Sequence, residues 1–210
     1  MFFGSSLTSM LATLLAVLMA ITLHETAHGF VAYQLGDPTA KNAGRLSLNP
    51  LKHLDPFGAL LMFVAGFGWA KPVPVNPYYF KGDKTKGMML VSVAGPVMNL
   101  IICFAAYLIF VAGHGFYQSP FLSTFLQSCV TLNVYLAVFN LIPIPPLDGS
   151  KILAGFLPRE MAYKFLTVVE RYGMLILFAL IIFNLTDIVL VPIANGILNF
   201  FGMILQMIFV

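Results

Sequence analysis

Between Gly87 and Val111 this chain has no Asp, Glu, Lys or Arg, and the same holds from Phe121 to Ile142 and from Ile188 to Val210. A helix rises about 1.5 Å per residue, so about 20 apolar residues cross the ~30 Å core of a bilayer. Each of the three runs is long enough. In lipid, every backbone N–H and C=O must find its partner within the structure, and a helix provides these internally. The uncharged runs therefore confine most of the chain to membrane-spanning helices.

A further run from Ser5 to Val31 is long enough to cross with some tilt and is closed by Gly36-Asp37-Pro38. The stretch 57–70 is apolar but short for a crossing, so it reads as a re-entrant segment or a short tilted helix. Lys71 to Pro77 holds three prolines in seven residues, which excludes a regular helix and favours extended backbone. Arg45 to Leu48 alternates in polarity and predicts a short strand. Gly149 to Arg171 is more polar and reads as an amphipathic helix or loop. Tyr172–Phe183 and Ile188–Val210 form a final hairpin, whose first arm is short unless it begins near Tyr163. The expected fold is an all-α polytopic membrane protein, a single domain over residues 1–210. It has about five to six transmembrane helices, a re-entrant or short second segment, and a small extended or β region on the cytoplasmic side.

Composition agrees. Only 9% of residues are charged, against about 25% in soluble domains. The net charge of +3 is too small to suggest nucleic acid as a partner. Cys103 and Cys129 both lie in apolar runs and read as small buried hydrophobes. The N-terminus lacks the basic flank and cleavage site of a signal peptide, so it is expected to be retained.

All eleven basic residues fall in a pattern. Lys41, Arg45 and Lys52 follow the run Ser5–Val31, Lys71, Lys81, Lys84 and Lys86 precede the run Gly87–Val111, and Lys151, Arg159, Lys164 and Arg171 follow the run Phe121–Ile142. The connections near Gly113–Pro120 and Asn184–Asp187 have none. Positively charged loops stay in the cytoplasm. This predicts a multi-pass protein of the cell membrane with its N-terminus outside and its C-terminus cytoplasmic.

Two motifs carry chemistry. In His24-Glu25-Thr26-Ala27-His28 the histidines stand four residues apart, on one helix face, where both imidazoles can reach one metal ion. Glu25 stands beside them and can take a proton from water. Ionisable residues at membrane depth are expensive and call for a functional reason. The second motif runs from Asn140 to Gly149 and contains Pro143, Pro145, Pro146 and Asp148. Its prolines unwind the end of the run Phe121–Ile142, and Asp148 reaches the depth of the histidines from the same side. A catalytic zinc needs three protein ligands and one open position; alone, Asp148 reads as the turn residue of Leu147-Asp148-Gly149, and beside the histidines as the third ligand.

Together these motifs resemble the site-2 protease family of intramembrane metalloproteases, whose pattern is His-Glu-x-x-His followed by Asn-x-x-Pro-x-Pro-x-Leu-Asp-Gly. Every specified position is filled here. Gly95-Pro96-Val97-Met98-Asn99 is similar to a shared Gly-Pro-x-x-Asn element, and Lys71 to Pro77 to a segment of small prokaryotic members. The resemblance covers roughly Leu11 to Ile152. It implies one zinc per chain on His24, His28 and Asp148, with Glu25 as catalytic base and transmembrane protein segments as substrates. The chain departs from larger members in lacking an inserted PDZ-like domain and an appended nucleotide-binding domain. Asn140 is the candidate donor to the oxyanion of the reaction; its other reading is a cap or a satisfied interhelical amide. The segments Arg45–Leu48 and Lys71–Pro77 read either as plain connections or as edges that hold an unwound substrate by strand addition.

His53 reads as an interfacial loop residue, His114 as a loop residue on the far side, and Asp187 lies on that far side as well. Two other classes compete: a metal carrier using the same ligands, and a non-catalytic scaffold. Glu25 argues against the carrier, because transport has no use for a non-ligating carboxylate between two ligands. The intact residue set argues against the scaffold.

Overall fold

The structure is a computed structural model that describes residues 6–58, 70–116 and 118–209. Among these, five helices are long and apolar enough to cross a membrane. Seven α-helices lie wholly within the described residues: α1 (Leu7–Gln34), α2 (Thr39–Asn42), α3 (Lys84–Ala112), α4 (Pro120–Asn140), α5 (Asp148–Phe156), α6 (Arg159–Ile182) and α7 (Leu185–Phe209). The five spans are α1, α3, α4, α6 and α7.

Local chemistry sets the ends. Ser6 caps α1 through the Ser9 N–H, and Asp83 caps α3 through the Lys86 N–H. That amide also holds the Asp83 carboxyl below the usual carboxylate range. Ser119 caps α4 and Pro120 opens it, where a missing N–H costs nothing. The prolines expected to break the span Phe121–Ile142 lie just beyond Asn140, where α4 ends.

α1, α3 and α4 pack on one another, and the reason is visible in α1. Its buried residues include Ala12, Ala16, Ala20, His24, His28 and Ala32, four apart along one stripe. Small side chains let neighbouring helices approach closely, which drives helix association in lipid. Ala16 meets Ala106, Leu126 and Cys129, while Cys103, Val134 and Val138 pack with Leu190 and Ala194 of α7. Both cysteines are buried and free, as small hydrophobes.

Three sequence expectations change. Residues 149–171 are not one amphipathic unit: α5 ends at Phe156, and Arg159 begins a single helix that continues to Ile182. The hairpin's first arm is thus full length, because Lys164 and Arg171 ride on it. Arg45–Leu48 forms no strand, and the described residues contain only a lone antiparallel bridge between Leu54 and Ala70. His53 is fully buried rather than interfacial, with its Nε2 hydrogen-bonded to the Ser47 carbonyl at 2.8 Å. The short apolar stretch 57–70 lies mostly outside the described residues, which omit 59–69.

Candidate metal centre

Three side chains from two elements converge on one point. His24 and His28 lie one turn apart on α1, and Asp148 is the first residue of α5. Their Nε2 atoms are 3.0 Å apart. Asp148 Oδ2 lies 3.3 Å from His24 Nε2 and 3.2 Å from His28 Nε2. All three residues are nearly buried, with exposures of 9%, 9% and 8%.

The turn at 141–147 delivers Asp148. It folds α5 back against the end of α4, and the crossing is close. A Cβ at Gly149 would sit 2.2 Å from the Leu141 carbonyl oxygen and 2.4 Å from that of Ile142. Only glycine fits there.

The far side of each imidazole is also committed. His28 Nδ1 lies 2.7 Å from the Val91 carbonyl, which can only accept, so Nδ1 carries the proton. His24 Nδ1 meets Asn99 Oδ1. The Asn99 amide nitrogen donates to Asn133 Oδ1 at 2.7 Å, and Asn133 donates to the Cys129 carbonyl at 2.8 Å. That chain orients Asn99 as an acceptor and places the His24 proton on Nδ1 as well. Both Nε2 lone pairs then face Asp148. Buried histidines fixed in this way through their second nitrogen are the arrangement metal sites use.

The donor set tests itself. Two imidazole lone pairs and a carboxylate oxygen point at one another with no donor between them, an arrangement that repels unless a cation sits at the centre. For bonds of about 2.0–2.1 Å in a tetrahedron, ligand atoms lie ~3.3 Å apart, close to the separations here. Histidine nitrogens with one carboxylate oxygen are zinc-type ligands. These three are the one group of acidic or metal-ligating residues among the described ones that could hold an ion.

A cavity of about 250 Å³ opens beside the cluster, lined by Glu25, Pro72, Val73, Asn140 and Lys151 among others. Glu25 Oε2 accepts the Val73 N–H at 2.9 Å, so the carboxylate is held off the ligand face, where the sequence puts it. Asn140 lines the same cavity, and one of its amide hydrogens is given to the Leu136 carbonyl at 3.0 Å. His53 and His114 are not part of the cluster.

Sequence reasoning picked out Gly95 and Asn99 only as ends of a Gly-Pro-x-x-Asn element, with no role assigned, and did not bring Asn133 or Lys151 to the site. An asparagine in an uncharged span is itself a signal, because its amide must find partners there. Gly95 has a steric signature only in three dimensions: a Cβ would come within 2.5 Å of both imidazoles.

The fold and donor set define a metal-binding membrane protein with a carboxylate beside its metal position, the layout of a metal-dependent hydrolase. Comparison with known proteins agrees. The sequence profile of peptidase family M50 matches residues 114–183. The chain is 44% identical over 194 residues to "Putative zinc metalloprotease YwhC" of Bacillus subtilis, covering 88% of each chain. A Mycolicibacterium smegmatis protein of the same description, named Rip2, is 31% identical over 168 residues, 76% of this chain and 62% of its own. Zinc metalloprotease MJ0392 of Methanocaldococcus jannaschii is 23% identical over 181 residues, 86% of this chain and 44% of its own. No solved structure matches. The chain belongs to peptidase family M50, the site-2 protease family.

Proposed function

We propose that this protein is an intramembrane zinc endopeptidase that cuts peptide bonds in or near transmembrane segments of other membrane proteins. The observation that carries the reading is the convergence of His24 Nε2, His28 Nε2 and Asp148 Oδ2 beside Glu25, on a cavity among spanning helices.

In this reading His24, His28 and Asp148 would hold one zinc ion per chain beside the cavity. Zinc there supplies Lewis-acid polarisation of the scissile carbonyl and lowers the pKa of water. Glu25 takes the proton of the attacking water on its free carboxylate oxygen and later delivers it to the departing amine. The second amide hydrogen of Asn140, left over from its bond to Leu136, is the donor for charge developing on the carbonyl oxygen.

A peptide bond within a helix has its carbonyl already bonded, so a substrate segment unwinds before it is cut. Of the two segments that sequence suggested as edges, Lys71–Pro77 supports this role better. Pro72, Val73 and Val75 line the cavity, whereas no residue of Arg45–Leu48 does. The basic residues orient the whole, with the N-terminus outside and the C-terminus in the cytoplasm.

The test is direct. Purified protein in lipid vesicles is presented with a panel of single-span membrane proteins, and the cut sites are mapped by mass spectrometry. Cleavage inside or at the edge of the apolar segment is expected, lost on chelation and restored by zinc. Cuts confined to soluble tails, or cleavage indifferent to the chelator, would overturn the reading.

A further inference from the structure

The segment Lys71–Asn76 cannot hold its own shape. Pro72 and Pro74 have no N–H to give, so it can build neither a helix nor a full ladder. Other parts of the chain hold it instead: the Lys71 N–H donates to the His53 carbonyl at 2.9 Å, and the remaining anchors are side chains. Arg45 donates from Nη2 to the Lys71 carbonyl at 2.6 Å. The Asn76 N–H donates to Asp37 Oδ2 at 2.6 Å. Between these two anchors, the Val73 N–H donates to Glu25 Oε2 at 2.9 Å.

The anchors are unusual. Asp37 is fully buried and Arg45 is 7% exposed, yet neither forms an ion pair among the described residues. Arg45 Nε also lacks a hydrogen-bond partner there. Burying an uncompensated charge is costly, and stability alone is poorly served by it. Apart from the bonds of Asp37 to the Thr39 amide and hydroxyl, these two charges serve the backbone of the segment that touches Glu25. The Arg45 loop is itself fixed to α1: Thr26 donates to the Ser47 carbonyl, and Leu46 leaves no room for a Cβ at Gly29.

We propose that Arg45 and Asp37 are positioning residues that hold segment 71–76 at both ends, so that the Val73 N–H fixes the orientation of Glu25. This rests on the reading of Glu25 as the base. One carboxylate oxygen is tethered to Val73 and the other stays directed at the reacting water. If the segment slackens, Glu25 regains its rotamers, and a misplacement of about 1 Å costs about 10²-fold in rate.

The test compares wild type with Arg45→Met, Arg45→Lys and Asp37→Asn, using the single-span protein from the panel that wild type cuts fastest. Zinc content, kcat, KM and amide hydrogen exchange are measured together. Arg45→Met should lower kcat by about 10–100-fold, keep its zinc, and speed exchange in 71–76 while α1, α3 and α4 stay protected. Arg45→Lys should recover part of kcat, since an ammonium can still donate to the Lys71 carbonyl. Should Arg45→Met fail to fold, Asp37→Asn carries the same expectation for kcat. An unchanged kcat, or a loss confined to KM, overturns the proposal. Zinc loss shared equally by Arg45→Met and Arg45→Lys also overturns it, because the arginine would then only support the fold. Glu25→Gln run in parallel separates the two claims. If Glu25→Gln cuts at the wild-type rate, the base assignment falls; if it is inactive while Arg45→Met is fully active, only the positioning proposal falls.

Discussion

The two halves of this molecule solve different problems with similar helices. In α3 and α4 a third of the most apolar window is buried inside the protein, against 11% in α6 and 17% in α7. The first three spans bury Thr22, His24, His28, Ser92, Asn99 and Asn133, whereas no polar residue among the described ones of α6 or α7 is buried. Leu175, Ile193, Met203 and Met207 are exposed instead. One half carries polar groups at membrane depth and arranges partners for its histidines and asparagines; the other presents hydrocarbon outward. Helices that are all apolar enough to span thus divide into those that build a site and those that surround it, and buried polarity tells them apart.

Substitutions should respect this division. The largest effect is expected at Gly95, where a Cβ would collide with both imidazoles. Gly95→Val should bring bound zinc from about one per chain to near zero, as read by metal analysis, and abolish cleavage. Asn99→Ala comes next. It removes the acceptor of His24 Nδ1, and zinc affinity should fall about 10–100-fold in a competition titration. Asn133→Ala acts one bond further out, on the orientation of Asn99. Its cost should be about 0.6–1.7 kcal/mol in helix association, seen as earlier thermal unfolding, with a smaller loss of zinc affinity than Asn99→Ala. Met203→Ala in α7 should leave zinc content and cleavage within about twofold of wild type, as expected for a side chain outside the packed centre. A zinc defect in Met203→Ala would break the comparison by drawing the final hairpin into the site.

What sequence revealed and what it hid follow the same line. Long apolar runs gave α1, α3, α4 and α7, because length and hydropathy alone decide a span, even with Glu25 inside the first. They left the start of α6 open between Tyr163 and Tyr172, because Lys164, Glu170 and Arg171 lie on the helix and disguise it as a surface segment. The four-residue spacing of His24 and His28 was legible as one face of a helix, and the prolines before Asp148 as a break. Asn99, Asn133 and Gly95 act by what they touch on other helices, and no local pattern encodes that. His53 read as interfacial because its neighbours are polar; its burial comes from packing between the 45–53 loop and Lys71, which a linear reading cannot see.

The central claim is that His24, His28 and Asp148 hold the metal while Glu25 moves the proton, and Glu25→Gln tests it most directly. The substitution keeps the volume of the side chain and removes the base. Zinc content and cleavage of a single-span substrate are measured on the same preparation. The account predicts zinc equal to wild type with cleavage reduced by about 10²–10⁴-fold or more. Cleavage at the wild-type rate with zinc in place would contradict it, since the proton would then be moved by some other group.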